Sequence, residues 1–422
     1  MTQANPTSVL LTRCRRAGIL SCLALLGGLG HSVASEAATL SCSSLAGTSS
    51  STSTTALAVR GMDLSMLTAV ESGGGTFQLD GTTQDVFDIF QACGVNLVRL
   101  RLWNNPQTTA GVSYGGGHSN LATVTALAKR AKAHNMKFLL DLHYSDFWTD
   151  PGKQYKPKAW SSLSTTTLIS TVQTYTASVV TSLITAGAQP DYVQVGNEIN
   201  SGLLWSDGKN WTTTGMDNMA KILKAGIQGV RDAEKAKSVS TAAKIILHLA
   251  GTDQSTFQWW FDAVKSRSVS YDIIGVSYYP YWHGSLSTLQ TTLNYVSARY
   301  SKPVMIVETA YAYTLDYADS SANNFGSTTD VTNGGYPATQ VGQQSFLQAL
   351  KKVIRAVPNS YGQGFIYWAP DWLPVTGATW ATSAGMSYIE TSGTEGDSWE
   401  NQTLFDFNGD ALPALSEFLS TR

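Results

Sequence analysis

The stretch DYVQVGNEINSG, residues 191–202, decides how the rest of the chain is interpreted. Tyr192, Val193 and Val195 form a short β-branched and aromatic run, which is typical of a buried strand. The run leads directly into Glu198. A carboxylate just after a buried strand is desolvated, and this raises its pKa toward the range that a general acid needs near neutral pH. A strand-end Glu that only pairs with an Arg fits this stretch alone equally well.

A second stretch favours the chemical interpretation. Residues 303–310 read PVMIVETA, another apolar run that ends on a carboxylate, Glu308. Two buried strands that each finish on a Glu predict a pair of carboxylates for acid/base and nucleophilic work. The question is then whether the fold brings Glu198 and Glu308 together.

Eight apolar, strand-like runs alternate with helical patterns, which predicts an α/β protein with a (β/α)8 TIM barrel. A doubly wound open sheet is less favoured, because the chain has eight repeats and lacks a Gly-x-Gly-x-x-Gly turn. The predicted strands are 57–64, 95–103, 137–143, 192–198, 244–250, 272–280, 304–310 and 364–370. The predicted helices are 83–92, 121–134, 163–186, 216–236, 256–266, 286–299, 341–357 and a last one at 412–419.

The N-terminus has the pattern of a secretory signal peptide over residues 1–34. Arginines at 13, 15 and 16 precede an apolar segment and then small residues at 32–34. A membrane anchor is the alternative, but the apolar run is shorter than the ~20 residues that a spanning helix needs. We therefore expect a secreted protein, extracellular or periplasmic, without membrane association after cleavage. Residues 35–56 are Ser/Thr-rich and predict a disordered lead-in to a catalytic domain at 57–422.

Composition excludes some classes of partner. The net charge is -2, only 14% of residues are charged, and Lys and Arg do not cluster after the N-terminus. This disfavours nucleic-acid binding, which needs clustered basic residues. Of four cysteines, Cys14 and Cys22 lie in the predicted signal peptide. Cys42 and Cys93 form either one disulfide or two free thiols, and no zinc-ligand spacing is present.

Five motifs resemble those of glycoside hydrolase family 53, the arabinogalactan endo-β-1,4-galactanases, from about Val59 to the end of the chain. They are GMDLS at 61–65, VRLRLWN at 98–104, DLHYSDFW at 141–148, QVGNEI at 194–199 and SYYPYWHG at 277–284. The resemblance implies a retaining endo-glycosidase that acts on the β-1,4-galactan of pectin side chains. It also implies that Glu198 is the acid/base and Glu308 the nucleophile, with no cofactor required for the chemistry.

The resemblance implies roles for further residues around the glutamates. Asn197 is expected to bind the sugar hydroxyl next to the reacting carbon, or to cap the following turn. We expect burial to raise the pKa of Glu198, and donors such as Arg101 or Tyr279 to lower that of Glu308. We expect only one of Arg99 and Arg101 to face the barrel interior, and we favour Arg101.

Other strand-end side chains are predicted to contact the substrate. His143 is expected either to orient Glu198 or to contact the bound sugar. Trp368 is the predicted stacking platform under the sugar at the cleavage point, and Asp146 and Lys153 are expected to bind sugar hydroxyls. The remaining tryptophans predicted for flanking subsites are Trp103, Trp148, Trp205, Trp282 and Trp372.

Bacterial members of this family often bind a structural calcium ion between the seventh and eighth loops. Oxygens from Asp316, Asp319, Asn323 and the segment 397–400 could serve here, but the seventh loop departs from the family's denser acidic pattern, so calcium is not predicted. Nothing in the sequence indicates more than a monomer. The rival functions are a retaining endo-glycanase on mannan or cellulose, a carbohydrate-binding protein that has lost catalysis, and a purely structural surface protein.

Overall fold

The structure is a computed structural model that describes residues 42–46 and 56–420, all of them within one compact unit, Leu40–Arg422. The predicted signal peptide lies outside the described residues. Within the described part, no helix combines the length and the apolar character needed to cross a membrane.

Eight parallel strands close into a barrel, as predicted. Each strand pairs with the next one along the chain, and the eighth pairs with the first, for example Val59 with Gly364. The strands are β1 Val59–Asp63, β2 Leu97–Leu102, β3 Lys137–Leu142, β4 Tyr192–Val195, β5 Lys244–Ala250, β6 Ile273–Ser277, β7 Val304–Thr309 and β8 Gly362–Trp368. Since parallel strands all end on one side of the barrel, the loops that follow them share a single face.

Helices surround the barrel between the strands. In the described residues they are α1 Leu67–Ser72, α2 Val86–Ala92, α3 Leu121–Ala133, α4 Thr165–Thr185, α5 Thr213–Ala236, α6 Gln254–Ser266, α7 Pro280–His283, α8 Leu286–Tyr300, α9 Thr328–Gly334, α10 Gln340–Arg355 and α11 Ser383–Tyr388. Side-chain caps start most of the long ones; Ser164 accepts from the Thr167 N–H at the start of α4. The predicted last helix at 412–419 is a 3-10 helix, Pro413–Phe418.

The inward side of the strands is apolar at the bottom and charged toward the top. Leu97 lies in an apolar interior cluster, and Arg99 and Arg101 follow it at spacings of two. Residues two apart on a strand point to the same side. The expectation that only one of the two arginines would face the interior was therefore wrong, and both are buried inside the barrel.

Part of the predicted disordered lead-in is ordered. Cys42 and Cys93 form a disulfide, which decides between the two alternatives for these cysteines. Ser44–Ala46 forms a 3-10 turn, and the Ser44 hydroxyl donates to Asp80 Oδ1 at 2.7 Å. The prediction of disorder is thus wrong for residues 42–46, because the disulfide fixes them to the end of α2.

Candidate active site

Glu198 follows β4 through a sharp change of backbone direction. Gly196 has φ +88°, and Glu198 itself lies in the left-handed region, at φ 48° and ψ 52°. A non-glycine residue pays a conformational cost there, and such strain concentrates at functional sites. The turn points the Glu198 side chain over the open end of the barrel.

Glu308 reaches the same space because β7 contains a β-bulge. Val276 on β6 pairs with Ile306, but Ser277 pairs with Glu308, so one extra residue, Val307, is inserted into β7. Val307 already faces the apolar interior, and in a regular strand Glu308 would face the other way. The bulge re-aims Glu308 into the barrel.

The two carboxylates meet above the barrel core. A carboxylate oxygen of Glu198, one of Glu308 and a ring nitrogen of His248 all lie within 4.8 Å of one another. This upper limit is close to the roughly 5–5.5 Å of retaining glycosidases and well below the roughly 6.5–9.5 Å that inverting enzymes need to fit a water.

Arg99 holds Glu308 from below. Its Nη2 donates to Glu308 Oε1 at 2.7 Å and to Asp141 Oδ2 at 2.8 Å, and its Nη1 donates to Asp63 Oδ2 at 2.6 Å. Tyr279 donates from its hydroxyl to the other oxygen, Glu308 Oε2, at 3.1 Å. Both oxygens of Glu308 therefore have a donor that fixes the orientation of the carboxylate.

Arg101 does not contact Glu308, so its assignment as the donor to that carboxylate was wrong. Its Nη2 donates to the Gly116 carbonyl at 2.6 Å, and its guanidinium carbon lies 4.3 Å from the centre of the Trp148 ring. Arg101 nevertheless lines the cleft. Arg99 therefore contacts the Glu308 carboxylate and Arg101 lines the cleft, although both roles had been predicted for Arg101.

Burial raises the pKa of Glu198 well above its ordinary value, and the charge of Glu308 raises it further. The pKa of Glu308 is also raised by burial, against the opposing effect of the Arg99 guanidinium. Donors do act to lower the pKa of Glu308, as expected of Arg99 and Tyr279, but the net shift is upward because burial and the charges of Asp141 and Asp63 outweigh them. Arg99 and Tyr279 donate to Glu308, which favours Glu308 as the ionised member of the pair and Glu198 as the protonated one, the order that a nucleophile and an acid require.

His143 lies at the floor of the cleft without contacting Glu198. Its Nε2 is 3.0 Å from Asp141 Oδ2, and its Nδ1 faces Trp103 Nε1 at 3.2 Å and Thr149 Oγ1 at 2.9 Å. Burial lowers the pKa of His143, so the ring is neutral near pH 7. These contacts exclude the predicted role in orienting Glu198. The alternative, contact between His143 and a bound sugar, stays a prediction, and His143 lines the cleft.

Asn197 is held on both sides of its amide. Its Oδ1 accepts from Arg99 Nη2 at 3.0 Å, and its Nδ2 donates to the Thr149 carbonyl at 2.9 Å. This leaves the second N–H of the amide for a ligand, and Asn197 lines the cleft. The alternative role as a cap of the following turn does not occur.

Most side chains predicted to contact substrate line one cleft around the two glutamates. They are Arg101, His143, Trp148, Lys153, Asn197, Tyr279, Trp282, Trp368 and Trp372. Sequence reasoning missed other lining residues on the third, seventh and eighth loops: Thr149, Asp150, Asn324, Trp380, Ile389, Ser398 and Trp399. Trp399 packs edge-on against Trp368, with ring centres 4.6 Å apart, and so shapes the predicted platform.

Three predicted contacts are not among the residues that line the cleft. Trp103 is fully buried beneath Trp148, with its indole N–H donated to His143. Asp146 is also buried, and its oxygens accept from the backbone N–H groups of Asn105 and Lys158. Trp205 donates to the Ser201 carbonyl. Trp103 and Asp146 shape the loops, and the predictions that they contact sugar were wrong. Trp205 is half-buried, and its contact with sugar stays a prediction.

An acidic cluster joins the seventh and eighth loops. Asp319 Oδ2 accepts from the Asp397 N–H at 2.6 Å, and Glu400 Oε1 accepts from the Ala318 N–H at 2.8 Å. Asp397 Oδ2, Glu400 Oε2 and Asn323 Oδ1 are buried without a hydrogen-bond partner. Burial raises the pKa of Asp397 and of Glu400, and each is raised further by neighbouring carboxylates. Unpaired buried oxygens beside carboxylates fit a hard cation such as Ca²⁺. Asp316 is exposed and bonds Thr314 instead.

A (β/α)8 barrel with a half-buried Glu198 just after β4 and a buried Glu308 at the end of β7, both in an aromatic cleft, defines the class of glycoside hydrolases. Residues 59–418 match the sequence model of glycosyl hydrolase family 53, and the chain belongs to this family.

Proteins with named activities are similar to this chain over most of its length. It is 36% identical over 369 residues to an arabinogalactan endo-β-1,4-galactanase of Cellvibrio japonicus, covering 85% of this chain and 89% of that one. It is 34% identical over 384 residues to an endo-β-1,4-galactanase of Bacillus subtilis strain 168, covering 85% of each. Among solved structures, a family 53 catalytic domain from Ignisphaera aggregans superposes with a TM-score of 0.79 at 39% identity, covering 86% of this chain and 95% of that one.

Proposed function

We propose that this protein is a secreted endo-β-1,4-galactanase that hydrolyses the galactan backbone of type I arabinogalactan with retention of configuration. The spacing of Glu198 and Glu308, with oxygens within 4.8 Å, is the observation that supports retention. The names of the Cellvibrio and Bacillus relatives support galactan as the substrate. The N-terminal pattern supports secretion, and a monomer is the simplest state consistent with the sequence.

In the first step, Glu308 attacks the anomeric carbon of the galactose whose glycosidic bond is cleaved. Glu198 gives its proton to the glycosidic oxygen as the bond to the leaving chain breaks. Arg99 and Tyr279 keep the Glu308 carboxylate oriented for attack. The product is a covalent galactosyl-enzyme ester.

In the second step, water enters where the leaving chain stood. Glu198, now ionised, removes a proton from the water as it attacks the anomeric carbon, and Glu308 leaves as a carboxylate. Two inversions give net retention. The two glutamates supply the acid, the base and the nucleophile themselves, so the proposed mechanism requires no cofactor.

Calcium enters the proposal only as a structural ion. Asp319, Asn323, Asp397 and Glu400 would hold it, and its charge would compensate the buried carboxylates and tie the seventh loop to the eighth. Since Asn324, Ser398 and Trp399 of these loops line the cleft, such an ion would steady one wall of the site.

The test is incubation with debranched β-1,4-galactan and, separately, with β-mannan and carboxymethylcellulose, following new reducing ends and the anomer of the first product by NMR. We expect β-configured galacto-oligosaccharides from galactan alone. Activity on mannan or cellulose would favour the rival endo-glycanase, and initial α-configured product would remove the nucleophile role of Glu308. No hydrolysis of any polymer, with galactan still bound, would favour the catalytically inactive binding protein.

A further inference from the structure

An aromatic surface lies on the loop after β4, outside the residues that line the cleft. It consists of Trp205, Lys209 and Trp211, which together are called the β4-loop patch. Trp211 is 70% exposed, more than any other tryptophan in the described part of the chain. The rings of Trp205 and Trp211 are neighbours, with centres 6.2 Å apart and planes inclined by 56°. Large apolar side chains that are exposed singly are common, whereas adjacent ones indicate an interaction surface.

Lys209 adds a hydrogen-bond donor to the two rings. Its Nζ is 3.6 Å from the centre of the Trp211 ring and 4.0 Å from that of the Trp205 ring, so it makes cation–π contacts with both. Asp207 of the same loop pairs with Lys156 at 2.7 Å and not with Lys209. Because an ammonium group carries three hydrogens, Lys209 can donate to the oxygens of a ligand that lies on the rings.

The backbone holds the β4-loop patch in place. The short strands Gly202–Leu203 and Gly208–Lys209 pair as an antiparallel hairpin below it. Directly after Trp211, the side chain of Thr212 accepts from the Gly215 N–H and caps the start of α5. A surface that is already formed loses little conformational entropy when a ligand binds.

The β4-loop patch adjoins the wall of the cleft that the third loop forms. The backbone N–H of Trp205 donates to the Gln154 carbonyl at 2.7 Å, and Trp205 forms an isolated β-bridge with Tyr155. Lys153, the residue before Gln154, lines the cleft. A polysaccharide chain that extends out of the cleft past Lys153 therefore meets this loop.

Rings and ammonium together suit a sugar chain. One face of a pyranose carries C–H groups that bury against an aromatic ring, while the hydroxyl groups at its edge accept from a nearby donor. The open Trp211 ring and the Lys209 ammonium supply these two features next to each other.

The charges around the patch favour a neutral chain over an acidic one. Lys153 pairs with Asp150 at 2.9 Å and Lys156 pairs with Asp207 at 2.7 Å, so the charges of both neighbouring lysines are compensated. An acidic polysaccharide repeats its carboxylates along the chain, and binding it needs a cluster of uncompensated cations.

We propose that the β4-loop patch is a binding site for the β-1,4-galactan chain outside the cleft, where Trp211 and Trp205 stack on galactose rings and Lys209 donates to their hydroxyl groups. The identity of the sugar rests on the proposed function. The site strengthens the binding of long chains and leaves the cleavage of short substrates unchanged.

Trp211→Ala tests the site, because an exposed ring is removed without leaving a cavity. Trp259→Ala is the matched control, since Trp259 is a 49% exposed tryptophan on α6 that is not among the residues lining the cleft. Both substitutions are made in the Glu198→Gln variant, so that the polymer is not degraded. Migration in native gels that contain increasing amounts of β-1,4-galactan then gives Kd for the polymer.

We expect Trp211→Ala to raise Kd for galactan by roughly 5- to 10-fold, as when about 40–55 Å² of apolar surface stays in water. Trp259→Ala should change Kd by less than about 2-fold, since a lone exposed tryptophan forms no site. In the active enzyme, Trp211→Ala should raise KM for the polymer, whereas kcat/KM for an aryl β-1,4-galactobioside, which the cleft binds alone, should equal that of the parent.

Equal Kd values for Trp211→Ala and its parent, or equal losses for Trp211→Ala and Trp259→Ala, would overturn the proposal. So would a matching loss of kcat/KM on the aryl galactobioside, which would place Trp211 at the catalytic site. Gels that contain polygalacturonate test the acidic alternative, and a Trp211-dependent retention there but not in galactan would also contradict the proposal. The parent's hydrolysis of galactan is measured first and decides the proposed function separately; if the parent cleaves another β-linked polymer, the gels are cast with that polymer.

Discussion

Arg99 Nη2 lies 2.7 Å from Glu308 Oε1, and the same guanidinium also contacts Asp63 and Asp141 inside the barrel. One buried cation thus compensates three buried carboxylates. Removing one partner of a buried ion pair leaves charges that neither water nor protein neutralises. The residue that orients the nucleophile is therefore also central to the stability of the barrel.

Arg99→Met should lower the free energy of unfolding by about 3–5 kcal/mol, as expected when one partner of a buried charge cluster is lost. Urea unfolding followed by tryptophan fluorescence measures this. Arg299→Ala, which breaks an exposed pair with Asp262 on the helical surface, is the control and should shift the midpoint little. Equal midpoints for the parent and Arg99→Met would contradict the central role of Arg99.

The two glutamates can be told apart by azide rescue. Glu308→Gly should lose activity by roughly 10⁴-fold or more, as expected when a nucleophile is removed. Azide should restore cleavage of an activated galactobioside and yield the α-azide, because it attacks from the empty side of Glu308. Glu198→Ala should instead give the β-azide, since azide then attacks the galactosyl-enzyme. Product anomers by NMR decide the assignment, and exchanged anomers would reverse it.

Glu198→Gln should stabilise the protein while abolishing its acid function. The pKa of Glu198 is raised in the folded state, so the folded state favours the protonated form. Stability from this group is present below the unfolded pKa of about 4.3 and is lost as pH rises toward the folded pKa. Gln cannot ionise, so the variant should gain on the order of 1 kcal/mol at neutral pH.

Thermal unfolding of the parent and Glu198→Gln from pH 4 to pH 8 checks this. The two curves should meet at the acidic end and separate toward pH 8, with the variant melting higher. The same shift gives kcat/KM a basic limb set by Glu198, which must be protonated, and an acidic limb set by Glu308, which must be ionised. A parent that is more stable than the variant at pH 8 would argue that Glu198 is not desolvated.

Calcium should stabilise the protein through the acidic cluster of the seventh and eighth loops. At free Ca²⁺ of about 100 times Kd, linkage adds about 2.7 kcal/mol to the free energy of unfolding. Melting in EDTA and in CaCl2 measures the effect. Asp397→Asn, which removes one buried carboxylate, should melt at the same temperature in both. A parent without a calcium response would show that the cluster binds no ion.

The sequence was sufficient for the barrel and the two glutamates, because strand periodicity and strand-end carboxylates are local signals. The choice between Arg99 and Arg101 failed, although the spacing of two already required a shared face. The bulge at Val307 depends on pairing between β6 and β7, which no single run reveals. Trp399 was missed because the path of a long loop is set by tertiary contacts.

Some residues were predicted to contact substrate, and only the packing of the structure shows that they are structural instead. Asp146 and Trp103 belong to a motif rich in polar and aromatic groups, yet their hydrogen-bonding atoms are used by the backbone and by His143. His248 was overlooked because it lies within a buried strand, away from the loop motifs. Its place beside the site is visible only from its contact with the backbone N–H of Glu198, at 3.3 Å.

The link between Cys42 and Cys93 also bears on how the protein should be produced. Overproduction in a reducing cytoplasm would leave both residues as thiols, whereas export to an oxidising compartment allows the bond to form. The bridge spans 51 residues, and closing a loop of that length removes about 4 kcal/mol of chain entropy from the unfolded state in the simplest account. Preparations of the same polypeptide from the two compartments should therefore differ in heat tolerance while turning over substrate alike.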